Sequence, residues 1–316
     1  MNDLSISGKK WLYKEYDSFY VNFLKENYYL DEITAKLLSI RNIDKKYIKS
    51  FLEPSIKNLI PNPNTLKDMK KSTDRIFNAI NKKEKIGIFG DYDVDGATST
   101  ALLGNYFSEL NIDYEIYIPD RKKEGYGPSI KSFQELINKK VKIIFTVDCG
   151  TLSFKPIKFA QNKNIDVIVL DHHQSEINLP KAFSVINPNR LDDKSNLQYL
   201  CAAGVAFMFL VSLNRTLRLN NWFSTKDTNE PNLIDYLDLV SLGTVCDVVP
   251  LIGLNRAIVK QGLKILKTKK NLGLKTLLDI CKIETSPSIY HLGFMLGPRI
   301  NAGGRVGKCS HGANLL

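Results

Sequence analysis

The sequence predicts an α/β fold, a parallel sheet with helices on both faces, with an N-terminal helical extension and a C-terminal helical segment. Three observations predict it. Short apolar runs recur at Ile86–Phe89, Tyr114–Ile118, Lys142–Val147 and Asp166–Leu170. Helical patterns alternate with them, which is the signature of βαβ units and a parallel sheet. Each run ends in a polar cluster (DYDVDG, IPDRKKEGYG, TVDCGT and VLDHHQ), so chemistry gathers at the same end of successive strands. Open α/β sheets place their ligands at that edge. The expected divisions are a helical extension at 1–84, a main α/β domain at 85–254 and a helical segment at 255–316.

The elements follow in order. Residues 11–83 read as helical, because TAKLLSIRNI and TDRIFNAINKK carry apolar positions at three- and four-residue spacing. Between them, EPSIKNLIPNPNT is proline- and asparagine-rich and reads as loop. KIGIFGDYDVDGATSTALLGN is the stretch around which the chain is organised. Its apolar run stops at Gly90, Asp91, Asp93 and Asp95 alternate, and Gly96 opens a small-residue helical pattern. Three carboxylates on one short loop repel unless a cation sits among them. An EF-hand would need Glu at its twelfth position, where this chain has Leu102, and a phosphate-cradling loop would need a lysine after Gly96. A solvated acidic turn remains the plain alternative.

After Asn187 the pattern is helical again. CAAGVAFMFLVSLNRTL reads as a buried helix, and DYLDLVSLGTVCDVVPL as another ending at Pro250, with Asp247 among apolar neighbours. Asn255–Leu316 reads as two or three helices interrupted by LGPRINAGGRVGK. The chain stops within HGANLL, a helical pattern without a cap or polar tail, which suggests a piece of a longer protein.

With 316 residues, 43% of them hydrophobic, the chain can bury one large core or two smaller ones. No apolar run reaches the length expected of a membrane span, and MNDLSISGKK lacks a signal-peptide core. No membrane association is expected. Five scattered cysteines form no C-x-x-C and read as reduced thiols in a cytoplasmic protein. The net charge of +11 suits a polyanionic partner, although lysine supplies most of it and arginine numbers only nine.

The candidate metal ligands lie at the strand ends. Asp148 follows IIFTV, and Asp171, His172 and His173 follow VIVL; two of the four histidines therefore adjoin an aspartate at one strand end. Asp247 would be costly to bury unless paired or metal-bound. Carboxylates with one or two imidazoles describe a site for two divalent cations, the imidazole favouring Mn²⁺ over a purely oxygen-ligated ion. Two such cations are a standard device for phosphoester hydrolysis. No serine or cysteine nucleophile with a paired base stands out, which leaves direct attack by water.

Here GDYDVDGATST, RKKEGYGPS, TVDCG and LDHHQ resemble the successive motifs of the DHH phosphoesterase superfamily. CAAGVAF, LVSLGTVCDVVPL and GPRINAGGR are similar to its RecJ-type single-strand DNA exonucleases, and the likeness runs from about residue 30 to the end. The resemblance implies Asp93, Asp95, Asp148, His172 and Asp247 as ligands of Mn²⁺ or Mg²⁺, two per site, with Asp148 bridging. It implies catalytic support from Asp91, Asp93 and His173, the last able to donate to a phosphate or leaving oxygen. It also implies 5′→3′ digestion of single-stranded DNA to 5′-mononucleotides in repair and recombination, a monomer, and a helicase and a single-strand-binding protein as partners. The family's DHHA1 domain has no room here, and Gly303 stands where the family usually has a second alanine in N-A-A-G-R.

Arg299 and Arg305 flank a glycine-rich stretch that reads as a phosphate-binding turn with Asn301. Arg121 and Tyr126 lie on a loop beside the site, where Tyr126 could stack on a base or anchor the loop. A phosphodiesterase acting on short oligonucleotides or small nucleotides, and a non-catalytic DNA-binding scaffold, are the alternatives.

Overall fold

The computed structural model describes residues 4–10, 12, 14–306 and 308–316, those at 304–306 by backbone only. They fall into two compact units, divided between residues 53 and 54. The first is helical. Asp17 and Asp31 accept from the opening amides of α1 (Ser18–Tyr28) and α2 (Glu32–Ile40), satisfying donors that a helix start leaves free. Val21, Leu24, Ala35 and Leu38 close a small core with Ile48, which opens α3 (Ile48–Leu52).

In the second unit, α4 (Ile56–Leu59) and α5 (Met69–Asn81) lead into the α/β part. There β1 (Ile86–Gly90), α6 (Val94–Glu109), β2 (Tyr114–Tyr117), α7 (Ile130–Asn138), β3 (Ile143–Val147), α8 (Phe154–Asn162), β4 (Asp166–Leu170) and β5 (Ser184–Ile186) alternate. The five strands are all parallel, in the order β2-β1-β3-β4-β5. The register sets Gly90 opposite Val147 and Val147 opposite Leu170, so β1, β3 and β4 end level. Successive strand residues face opposite sides. Ile88, Phe145, Ile168 and Ile186 enter one core with α5 and α6, while Phe89, Ile144, Val169 and Val185 enter another with α7 and α8. The helices after β1 and β3 therefore lie on opposite faces, and the crevice between those strand ends is where such a sheet takes a ligand.

Beyond the sheet come α9 (Ala202–Leu219), α10 (Trp222–Lys226), α11 (Leu237–Cys246), α12 (Gly253–Thr268), α13 (Leu272–Ile280), α14 (Gly297–Val306) and α15 (His311–Leu315). Helix α6 lies between two layers. Leu102, Leu103, Tyr106 and Phe107 pack with the sheet, while Val94, Ala97 and Ala101 pack with Leu242, Leu278, Leu296 and Ile300 of the helical layer. Small residues allow that close approach. A Cβ on Gly243 of α11 would stand 2.6 Å from Thr98 Oγ1 and 2.7 Å from Asp95 Oδ1, closer than packed atoms come.

Several features differ from the sequence reading, among them the short helix α4 inside the stretch read as loop. The compact unit begins at residue 54, not 85, because α5 packs on β5 and α9. Strand β5 was not expected; three residues are too few to show alternation. GPRINAGGRV is helix α14, not a turn, and continues from π-helical winding over His291–Leu296. Pro298 removes one donor from the ladder, and a wider turn just before it is the local adjustment. Finally, α9 is long and apolar enough, by length and composition, to cross a membrane, yet 72% of it is buried inside the fold. Its apolar surface is spent on the core beside β4.

The edge strand β5 is held by ion pairs around the buried Arg190, whose carboxylate partners are partly exposed. Arg190 Nη1 lies 2.8 Å from Asp68 Oδ2 and 2.5 Å from Val185 O, and its Nε lies 2.6 Å from Asp192 Oδ1. Asp68 Oδ2 in turn accepts from Val185 N. Because Asp68 and Asp192 both keep contact with solvent, losing the arginine costs chiefly its hydrogen bonds to charged groups, about 1.5–3 kcal/mol. Arg190→Ala should lower the urea midpoint by a corresponding amount with an unchanged m-value; an unchanged midpoint would show that the edge does not depend on these pairs.

Candidate metal centre

Three level strand ends and one helix end supply the site. After β1, Asp93 caps α6, its carboxylate accepting from Gly96 N at 2.9 Å. Residue 96 has to be glycine, because a Cβ there would stand 2.6 Å from Asp91 O. Asp95 lies in the first turn of α6, and its two oxygens accept from Ala202 N (2.6 Å) and Ala203 N (2.9 Å), the first amides of α9. Two helix N-termini thus face one carboxylate, which favours negative charge there. After β3, Asp148 takes the left-handed conformation, φ +60°, an uncommon and costly one for a residue with a Cβ. Asp247 follows the last residue of α11.

After β4, Asp171 turns away from the other acids. Its Oδ1 accepts from His172 N (2.8 Å), His173 N (3.2 Å) and His173 Nδ1 (2.8 Å), and its Oδ2 from Thr151 N (3.0 Å). Asp171 is therefore a support for the histidines. Asn187 and Asn189 hold the same turn from beside β5, donating to His173 O and His172 O. These supporting residues were missed from sequence. The available signal was a pair of amides around Pro188 directly after the short run Phe183–Ile186.

The structure brings Asp91, Asp93, Asp95, Asp148, His172, His173 and Asp247 together. His172 Nε2 lies 3.2 Å from Asp148 Oδ1, 3.6 Å from Asp247 Oδ2 and 3.7 Å from Asp95 Oδ2. Potential ligand atoms gather in three overlapping groups, each within 4.8 Å: Asp148, His172 and His173; Asp95, His172 and Asp247; Asp91, Asp93 and Asp148. Asp148 and His172 each belong to two. Asp91 Oδ1, Asp148 Oδ1, His172 Nε2 and Asp247 Oδ2 are buried without a hydrogen-bond partner. Buried polar atoms are normally paired, so a convergence of unpaired carboxylate oxygens and one imidazole nitrogen fits divalent cations.

The electrostatics agree. Burial, then the nearby Asp93 charge, pushes Asp91 up to about 7. Burial, again followed by Asp93, pushes Asp247 up to about 6. Burial also raises Asp95 and Asp148, each with neighbouring acids adding to it. Burial lowers His172, leaving the neutral imidazole that a metal requires. His173 is raised, first by its hydrogen bond to Asp171. Burial would raise Asp171, but the bonds from His173 and Thr151 outweigh it and hold that carboxyl below its usual range.

Among the expected substrate residues, Tyr126 is held at the site: its hydroxyl donates to Asp148 O at 3.1 Å and lies 3.4 Å from His173 Nε2. The Arg121 guanidinium stacks over Tyr92, 5.1 Å from the ring centroid, between the first two loop aspartates. Arg299 is exposed on α14 with Nη1 donating to Met295 O at 2.7 Å. A helix, not a glycine-rich turn, therefore presents it. Asn301 lies on the same helix, half-buried. The Arg305 side chain falls outside the described residues.

A family model described as the DHH family, N-terminal domain, matches residues 85–244, the segment carrying all three strand-end loops. The chain belongs to the DHH family. This DHH-family chain is 38% identical over 270 residues to the Escherichia coli K12 single-stranded-DNA-specific exonuclease RecJ, covering 84% of this chain and 46% of that protein. To the Bacillus subtilis protein of the same name it is 33% identical over 312 residues, 98% of this chain and 38% of that one. The crystal structure of RecJ from Thermus thermophilus in complex with Mn²⁺ matches with a TM-score of 0.77 at 27% identity, over 95% of this chain and 41% of that one. The chain thus spans less than half the length of these relatives.

Without metal, Asp91 and Asp247 have folded pKa values raised above the ordinary carboxyl range. A raised acid contributes stability below its unfolded pKa of about 4, and that stability is lost as pH rises through the folded value. In EDTA the thermal midpoint should therefore fall between about pH 4 and pH 7. Mn²⁺ should raise the midpoint more at pH 8 than at pH 5, since protons compete with it at the lower pH. A Mn²⁺-induced shift independent of pH would show that these carboxylates do not hold the ion.

Proposed function

We propose that this chain is the catalytic part of a single-strand DNA exonuclease that digests 5′→3′ and releases 5′-mononucleotides. Two divalent cations, Mn²⁺ or Mg²⁺, would be held by Asp93, Asp95, Asp148, His172 and Asp247. The observation that carries the proposal is the convergence of buried, unpaired Asp148 Oδ1, His172 Nε2 and Asp247 Oδ2 at level strand ends. The exonuclease names of the relatives supply the substrate class.

An oxygen-rich set with one imidazole suits Mn²⁺ or Mg²⁺ better than a softer ion. Bound divalent cations supply Lewis acidity, lowering the pKa of a water and offsetting charge on phosphoryl oxygens. The chain's own groups do the rest. Asp91 Oδ1 is buried without a hydrogen-bond partner among the described residues, so it is free to accept from a water held at the site. His173, with Nδ1 fixed by Asp171, presents Nε2 as a donor to a phosphate or leaving oxygen. Tyr126 steadies that ring from the loop after β2. Arg121 and Arg299 offer cationic contacts to the strand.

A monomer is part of the same reading. The free cysteines support a reducing compartment, the cytoplasm. A helicase and a single-strand-binding protein, which would deliver the single strand, are the partners this reading implies.

The test is a time course on single-stranded oligomers labelled at one end or the other. A 5′ label should leave first as mononucleotide, whereas a 3′ label should persist on a shortening strand. Hydrolysis should need Mn²⁺ or Mg²⁺ and fail with Ca²⁺, whose looser geometry suits it poorly. Asp148→Ala should lower the rate by more than the roughly 10–100-fold typical of residues that merely support ligands. Robust hydrolysis in EDTA, or early release of the 3′ label, would sink the proposal.

A further inference from the structure

We infer that Asn187 and Asn189, after β5, are positioning residues that fix the Asp171–His173 turn and thereby aim His172 at the cations. The inference rests on the metal reading above and adds residues to it.

The turn has little conventional backbone bonding of its own. Asp171 N donates to Ile186 O, and the next two amides are taken up by Asp171's own carboxylate. The carbonyls of both histidines point the other way, and each meets one asparagine. Asn187 Nδ2 donates to His173 O at 2.9 Å and to Thr151 Oγ1 at 2.8 Å. Asn189 Nδ2 donates to His172 O. Asn187 Oδ1 accepts from Asn189 N at 2.8 Å, coupling the two amides, and Thr151 N closes the ring on Asp171 Oδ2 at 3.0 Å. Asn187 is fully buried, so each lost bond would leave an unpaired polar group in the interior.

The amide side chain suits this task because it offers a donor pair and an acceptor from one rigid plane. A carboxylate there would repel the histidine carbonyls, and an aliphatic residue would leave them without donors. Groups that orient metal ligands from behind typically matter about 10–100-fold in metal affinity or activity.

The test is Mn²⁺ binding to the full chain, followed by the electron paramagnetic resonance of free ion, beside thermal midpoints in EDTA. Asn189→Ala, at a half-buried position, should keep its midpoint within a few degrees of the parent and weaken Mn²⁺ about 10–100-fold. High Mn²⁺ should restore most of the hydrolytic rate. Asn187→Ala should do the same at a greater cost in stability. Ser184→Ala serves as control: it removes the buried Ser72–Ser184 hydrogen bond of β5 without touching the turn, and it should bind Mn²⁺ like the parent. If Asn189→Ala binds as tightly as the parent, or Ser184→Ala weakens binding equally, the positioning role is overturned. A parent chain that binds no Mn²⁺ overturns the metal reading along with it.

Discussion

Negative charge buried at one end of a sheet is the constraint on which the rest depends. Asp91, Asp95 and Asp148 are almost wholly enclosed, and a carboxylate in such a place is expensive unless its charge is met. The fold meets part of it with backbone. Asp93 and Asp95 sit in the opening turn of α6, and Asp95 also receives the first amides of α9. What backbone does not meet is left as a set of unpaired atoms pointing at one another. Divalent cations suit such overlapping groups of carboxylate oxygens and imidazole nitrogen.

That arrangement explains the layering. Helix α6 must start among the acids and run between sheet and helical layer, so it is built from alanine, serine, threonine and glycine where neighbours crowd it. Gly243 lets α11 come close enough for Asp247 to join from beyond the sheet. The positive φ of Asp148 belongs to the same demand. Its side chain is turned into the cluster at the expense of a strained backbone, with Gly150 (φ +112°) completing the turn.

Much of this was legible in the sequence, and for identifiable reasons. Strands β1, β3 and β4 are buried on both faces, so they read as unbroken apolar runs, and their polar ends stand out by contrast. The Asp-His-His triplet and the alternating aspartates were visible because such residues are rare at strand ends without a purpose. Strand β5 escaped because three residues show no period. Helix α14 was read as a turn from its glycines; packing against α15 and α6 overrides their weak propensity, with Ile300 seated in the helical core. Which way Asp171 faces could not be read at all, since it depends on Thr151, twenty positions earlier.

The strand order also bears on how the molecule is made. Parallel neighbours are distant in sequence, and β3 enters between β1 and β4 only after two crossover helices. Such long-range pairing is slow to form. On the ribosome, Asp91, Asp93 and Asp95 emerge early, while Asp247 arrives only after α11. A nascent chain therefore carries acids but no assembled cage for a cation. By chain order alone, the Asp95–His172–Asp247 group is complete only once Asp247 has been synthesised.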